Sequence, residues 1–259
     1  MIEAKKSFGQ NFLKDQNIID KISNSIDVTK DDIIIEIGPG KGALTKELRK
    51  KPSRLIAFEI DERMKDVLSQ YEDEKTKIIY SDILSVDLKC ILKDYKYRNL
   101  YLIANLPYYI TSPIVDKMLS LNIFNEITIM VQKEVADRFC ASPRTSEYGL
   151  MTVFINTNYT PKKMFNVKNT CFEPAPKVDS AVVNLKKKDS TNIVNDLNYY
   201  KEFLSKAFSH KRKTLKNNLG TELFSKVYEI LINYNYPQTV RAEEIPTEIY
   251  IEICNNLSK

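Results

Sequence analysis

The 259 residues suffice for one large domain, or one domain with an appendage, and bury a core without staples. Apolar content of 43% and charged content of 28% fit an ordinary soluble globular protein, and a net charge of +5 fits an anionic partner. The excess is uneven: residues 197–220 hold six Lys or Arg against the single acid Glu202, whereas residues 221–259 hold three bases against six acids. No apolar run is long enough to span a bilayer, and Lys5 and Lys6 precede no hydrophobic core, so neither a membrane anchor nor a signal peptide is expected. Cys90, Cys140, Cys171 and Cys254 lack zinc or redox spacing and read as reduced thiols. His210 is the only histidine, which leaves no His-rich metal site and no Ser–His–Asp triad. A cytoplasmic, monomeric, metal-free protein is the expectation.

In chain order, Lys5–Leu13 is basic and then polar, with Phe8 and Phe12 flanking Gly9-Gln10-Asn11. Helical spacing at Ile18, Ile19, Ile22 and Ile26 follows, with Asp15 as its cap. Ile33–Ile37 reads as a strand, Gly38-Pro39-Gly40-Lys41-Gly42 as a glycine loop, and Ala43–Arg49 as a helix. Strands are then expected at Arg54–Phe58, Lys77–Tyr80, Leu100–Ala104 and Ile127–Val131. Helices are expected at Asp61–Tyr71, Val86–Lys93, Thr111–Leu121 and Lys133–Ala141. This alternation predicts a parallel sheet with helices on both faces. Leu150–Ile155 is ambiguous between helix and strand. Lys163–Val167 and Val178–Leu185 have no helix between them and predict an antiparallel end to the sheet. From Tyr199 onward the pattern is helical, with Tyr200, Phe203, Leu204, Ala207 and Phe208 on one face of the first helix.

In an open parallel sheet, ligands sit at the carboxyl ends of the strands. Those ends carry Gly38-x-Gly40-x-Gly42, Glu59, Asp82 and Asn105. Glycines let a ligand approach the backbone, Glu59 stands where a carboxylate takes ribose hydroxyls, and Asp82 can accept from an adenine amine. Glu36 would repel a pyrophosphate and suits an ammonium, which favours S-adenosylmethionine over NAD. An NAD-linked dehydrogenase is a rival, but it gives Asn105-Leu106-Pro107-Tyr108 no task. Pro107 forces a sharp turn out of a buried strand and keeps Leu106 extended, leaving carbonyls free to accept. Two neutral acceptors beside the Tyr108 ring suit a planar base with an exocyclic amine. Each of these residues also has a plain structural reading, as a turn, a helix cap or a paired buried carboxylate.

The segments KSFGQNFL (Lys6–Leu13), EIGPGKGALT (Glu36–Thr45), NLPYYIT (Asn105–Thr111), QKEVADR (Gln132–Arg138), FEPAPKVDSAVV (Phe172–Val183) and HKRKTLKNNL (His210–Leu219) occur in this order. Together they make the chain resemble the ribosomal RNA adenine dimethyltransferases, which produce N6,N6-dimethyladenosine. The resemblance implies a Rossmann-like class I methyltransferase fold over residues 1–188, with a mostly parallel seven-stranded sheet. It also implies a small all-helical RNA-contacting domain over 189–259. The IGPG loop, NLPYYI, QKE and KRKTLKNNL resemble the branch that modifies two adjacent adenosines near the 3′ end of small-subunit (16S) rRNA. The large-subunit (23S) branch, which confers macrolide resistance, is the alternative. A third reading is a non-catalytic RNA-binding assembly factor on the same scaffold.

The resemblance implies S-adenosylmethionine as cofactor. Asn11 and Leu13 would contact it, Gly38 would approach its methionine part, Glu59 its ribose and Asp82 its adenine amine. Asn105 would touch both cofactor and target base. Asn105 Oδ1 and the Leu106 carbonyl would then orient the amine, with Tyr108 and Phe172 sandwiching the base. Lys5, Lys6, Lys211, Arg212, Lys213 and Lys216 would hold phosphates of the 16S rRNA.

Overall fold

A computed structural model of the chain describes residues 10–189 and 193–258. Its first half runs β1 (Phe12–Leu13), α1 (Gln16–Ser23), β2 (Ile33–Ile37), α2 (Ala43–Leu48), β3 (Arg54–Glu59), α3 (Lys65–Leu68), β4 (Thr76–Tyr80), α4 (Leu88–Leu92), β5 (Leu100–Asn105) and α5 (Thr111–Leu121). The second half runs β6 (Glu126–Gln132), α6 (Lys133–Phe139), α7 (Leu150–Asn158), β7 (Tyr159–Val167), β8 (Phe172–Glu173), β9 (Ser180–Lys187), α8 (Leu197–Ala207), α9 (Leu215–Leu219), α10 (Thr221–Leu231) and α11 (Thr247–Leu257).

The β-branched runs form one seven-stranded sheet in the order β4-β3-β2-β5-β6-β9-β7. Every residue of β2 is buried, as expected of a central strand covered on both faces. The β2–β3, β2–β5, β3–β4 and β5–β6 pairs are parallel, and β9 runs antiparallel to β6. Register then decides which side chains reach the carboxyl rim. Ile37 stands level with Phe58 on one side and Ala104 on the other. Glu59 and Asn105 therefore each project one residue beyond it. Because β9 is antiparallel, its first residue, Ser180, pairs with Gln132 at the end of β6 and lies on the same rim.

Asp15 caps α1 by accepting from the Ile18 N–H at 3.2 Å. The segment expected as one helix over 61–71 is broken: Asp61 caps a short 3-10 turn, α3 spans four residues, and a second 3-10 turn ends at Tyr71. The ambiguous run at 150–155 is helical, inside α7.

Two compact units emerge: the described residues up to 136 with 162–187, and 137–161 with those from 188 onward. The second break falls beside the expected boundary after 188, but 137–161 belong with the C-terminal helices. The reason is that α7 packs on α8 and α11, where its apolar residues find cover. In this unit Tyr200, Phe203, Leu204 and Ala207 are buried along α8, while Phe208 sits at its C-cap. Cys254 is buried there too, and burial pushes its thiol up to about 12, which keeps it protonated and inert.

Candidate active site

The first unit holds a cleft at the carboxyl rim of the sheet, enclosing about 1040 Å³ including its open mouth. Asn11, Leu13, Glu36, Gly38, Glu59, Asp82, Asn105, Leu106, Pro107 and Tyr108 all line it. Five loop or strand segments, 10–13, 36–44, 58–60, 81–83 and 105–110, thus converge on one cleft, with Ile114 of α5 beside them.

One flank is acidic. Glu59 is buried, and the fold prearranges its carboxylate: Oε2 accepts from the Gly40 N–H and Oε1 from the Asp61 N–H, both at 2.9 Å. Gly40 can serve there because its φ of +56° and the Phe12 ring, 3.0 Å from where a Cβ would stand, admit no side chain. Each oxygen retains a lone pair for a hydroxyl. Asp82 Oδ1 accepts from the Leu84 N–H at 2.9 Å, an Asx turn that leaves Oδ2 for a ligand. Lys117 Nζ donates to the Leu84 and Val86 carbonyls, at 2.8 and 2.6 Å, and pins that loop to α5. Glu36 is buried below the loop. Its Oε2 has no hydrogen-bond partner among the described residues. Burial is the main cause that pushes the Glu36 carboxyl up to about 8; the Thr45 hydroxyl opposes it and Glu59 adds to it. Burial also raises Glu59, against its backbone donors.

The other flank is uncharged. Pro107 turns the chain directly after β5, and its carbonyl accepts from the Ile110 N–H and the Thr111 hydroxyl. Leu106 donates its N–H to the Met130 carbonyl at 3.3 Å, whereas its own carbonyl accepts no hydrogen bond among the described residues. Asn105 Nδ2 donates to the Asn11 carbonyl at 3.4 Å, which leaves Oδ1 as the amide's acceptor. Tyr108 shares a short hydrogen bond with Ser180 Oγ, so β9 fixes its ring.

One site expectation changes, that for Phe172. Phe172 does not line the cleft. It pairs with Leu13 across the β1–β8 ribbon and is 2% exposed, packed in the core with Ile19, Ile22 and Val182. It anchors the segment bearing Asn11 and Leu13 and offers no ring face to a base. Lys211, Arg212 and Lys213 are exposed in a turn, because the helix begins only at Leu215, with Thr214 as its cap; Lys216 is half-buried. Lys211 Nζ donates to the Ser146 carbonyl. These four lie in the second unit, away from the cleft-forming segments in sequence. Lys5 and Lys6 lie outside the described residues. Phe12, Tyr109 and Ser180 were not singled out as site residues. Phe12 lines the cleft under the Lys41 ammonium, 4.6 Å from its ring centroid.

The cleft residues fit S-adenosylmethionine. Glu59 and Asp82 supply acceptors for ribose hydroxyls and an adenine amine. The orphaned, buried Glu36 oxygen suits the cationic methionine end. The Glu59 and Asp82 carboxylates disfavour a pyrophosphate, and Lys41, the cation of the glycine loop, stands over Phe12. Among the described residues no cluster of His, Cys, Asp and Glu could hold a metal, and no helix is long and apolar enough to cross a membrane.

The profile of the family described as ribosomal RNA adenine dimethylase matches residues 1–259. The chain is 40% identical to ribosomal RNA small subunit methyltransferase A of Caldanaerobacter subterraneus subsp. tengcongensis, covering 99% of this chain and 98% of that protein. It is 38% identical to the protein of that name from Mycoplasma capricolum, covering 98% and 97%. Among solved structures, a dimethyladenosine transferase from Plasmodium falciparum superposes with a TM-score of 0.76 at 26% identity, over 95% of this chain and 97% of that one. The 23S rRNA methyltransferase ErmE, at 23% identity and a TM-score of 0.69 over 96% and 100%, shares the fold. The similarity thus runs along nearly the whole length of this chain and of the two small-subunit methyltransferases, and the chain belongs to the ribosomal RNA adenine dimethylase family.

Proposed function

We propose that this protein transfers methyl groups to N6 of two adjacent adenosines near the 3′ end of 16S rRNA, during maturation of the small subunit in the cytoplasm. The observation that carries it is the neutral Asn105–Tyr108 turn sharing one cleft with the acidic side chains of Glu36, Glu59 and Asp82. The relatives at 38–40% identity, named for the small subunit, support 16S rRNA over the large-subunit alternative.

S-adenosylmethionine is the methyl donor; when bound, it supplies an electrophilic methyl on a sulfonium. The chain's own task is to aim a poor nucleophile. An adenine amine shares its lone pair with the ring. Asn105 Oδ1 and the Leu106 carbonyl accept its two hydrogens, favour a pyramidal nitrogen and point the lone pair across the cleft. Orientation of this kind lowers a barrier by up to roughly 7–11 kcal/mol. Tyr108, held by Ser180, stacks on the base, a contact worth roughly 1–3 kcal/mol. A target inside structured RNA is first turned out of its stack. The monomethyl product keeps one hydrogen for the same acceptors, which permits a second transfer; in each transfer the nitrogen releases one proton to solvent.

The exposed turn of Lys211, Arg212 and Lys213, with Lys216, holds phosphates. Changing the three turn residues to Ala should flatten the salt dependence of rRNA binding by a log–log slope of about 0.7–0.9 per lost phosphate contact. The deciding experiment maps dimethyladenosine on rRNA of cells lacking this protein. Loss of the modified pair from 16S rRNA supports the assignment, and its persistence there refutes it.

A further inference from the structure

The turn after β5 carries two consecutive tyrosines, and the fold sends them to opposite flanks. Tyr108 bonds to Ser180 at the start of β9, two strands to one side of β5. Tyr109 serves the other side. It lines the cleft together with Asp82 and Glu59, which follow β4 and end β3, and the pKa of its hydroxyl is raised above the ordinary value by burial first and then by those two carboxylates. Tyr109 is 53% exposed, although Leu106 and Ile114 in the same cleft are buried. Ile60, directly after Glu59, lines the cleft and is 43% exposed. An aromatic and an aliphatic side chain are thus left wet beside the two acceptors that suit a ribose and an adenine amine. Unlike the exposed Ile193 and Ile232, these two side chains line the cleft itself. A purine nucleoside held by Glu59 and Asp82 would cover them.

We infer that Tyr109 is a wall of the cofactor's adenosine site, its ring covering the nucleoside half of bound S-adenosylmethionine opposite the flank where Tyr108 receives the target base. This rests on the cofactor assignment above and gives the two tyrosines separate ligands. Tyr108 acts on RNA, and Tyr109 acts on the cofactor before any RNA arrives.

The chain contains no tryptophan, so Tyr109→Trp places a single indole at the cleft. Titration of that full-length variant with S-adenosylhomocysteine, without RNA, should shift indole emission to shorter wavelength as water leaves the ring. In calorimetry, Tyr109→Ala should bind S-adenosylhomocysteine about tenfold more weakly, the loss expected for one base–aromatic stack, and Tyr109→Phe should bind like wild type. At saturating cofactor, the KM of Tyr109→Ala for rRNA should stay within about twofold of wild type. Wild-type binding together with an unaffected Tyr109→Ala, or an indole indifferent to the ligand, overturns the inference alone. A defect confined to the rRNA KM assigns the ring to RNA and overturns it as well. If wild type does not bind S-adenosylhomocysteine, the cofactor assignment falls and the inference with it.

Discussion

The two flanks of the cleft are built from opposite chemistry. On the β2–β4 side stand Glu36, Glu59 and Asp82; on the β5 side stand an amide, a peptide carbonyl, a proline and a phenol. Charge suits the first because its guest is held by hydroxyls, an amine and a cationic end. Neutrality suits the second for a different reason. A carboxylate beside Glu36 and Glu59 would have its pKa raised by like charge and by burial. Once protonated it would donate where the target amine needs an acceptor. Asn105 avoids this because an amide oxygen accepts at every pH, and its Nδ2 is already engaged by Asn11.

The sharpest way to break this contrast is to move charge across it. Asn105→Ala removes one prearranged acceptor and should lower turnover by about 10²–10³-fold, the scale measured for a lost preorganised hydrogen bond at a reacting centre. Cofactor affinity, measured separately, should change by no more than a few fold. Asn105→Asp keeps the shape and adds a fourth carboxylate, and should be as inactive as the alanine variant. An aspartate variant turning over at the wild-type rate would refute the need for a neutral acceptor.

A smaller effect is expected on the acidic flank. Glu59→Gln replaces one of the two oxygens that receive backbone N–H groups and leaves a ribose hydroxyl with a weaker partner. Hydrogen bonds to charged groups contribute about 1.5–3 kcal/mol. Calorimetry should therefore show cofactor affinity reduced by about 10–100-fold, with turnover at saturating cofactor close to wild type. A defect in turnover alone would place Glu59 on the wrong flank.

Much of this arrangement was legible in the sequence because it follows from local rules. The Ile33–Ile37 run and its alternation with helices predict the parallel sheet, and a parallel sheet places whatever follows each strand on one rim. Glu59, Asp82 and Asn105 could be gathered that way without knowing the register. What escaped depends on long-range pairing. Phe172 sits in a motif that suggested a stack, yet its partner is Leu13, at the far end of the chain, and that pairing buries it. Ser180 bonds to a residue 72 positions away, which no local pattern announces. Leu150–Ile155 is apolar without a clean period, so its placement with the C-terminal helices came only from packing on α8 and α11. Tyr109 carries no sequence signal of its own, because its neighbour Tyr108 already supplies an aromatic ring for the base.

The least expected effect, and the one that best separates the two buried carboxylates, is in pH. Glu59 spends both oxygens on backbone donors, whereas Glu36 leaves Oε2 without a partner. The folded Glu36 carboxyl stands at about 8 against an ordinary 4.5. A carboxyl that holds its proton more tightly when folded favours the fold while protonated. That contribution is fully present below about 4.5 and is lost as pH rises to about 8. The free protein should therefore lose thermal stability between pH 5 and pH 8, in roughly that window. Glu36→Gln, which cannot ionise, should lose less, any remaining slope belonging to Glu59. A cationic ligand beside Glu36 favours its charged form, so binding expels the proton and affinity for S-adenosylmethionine should rise with pH over the same interval. Thermal midpoints and calorimetric affinities for wild type and Glu36→Gln at both ends of the window check this. Parallel slopes in the two proteins would mean that Glu36 keeps one protonation state throughout the window.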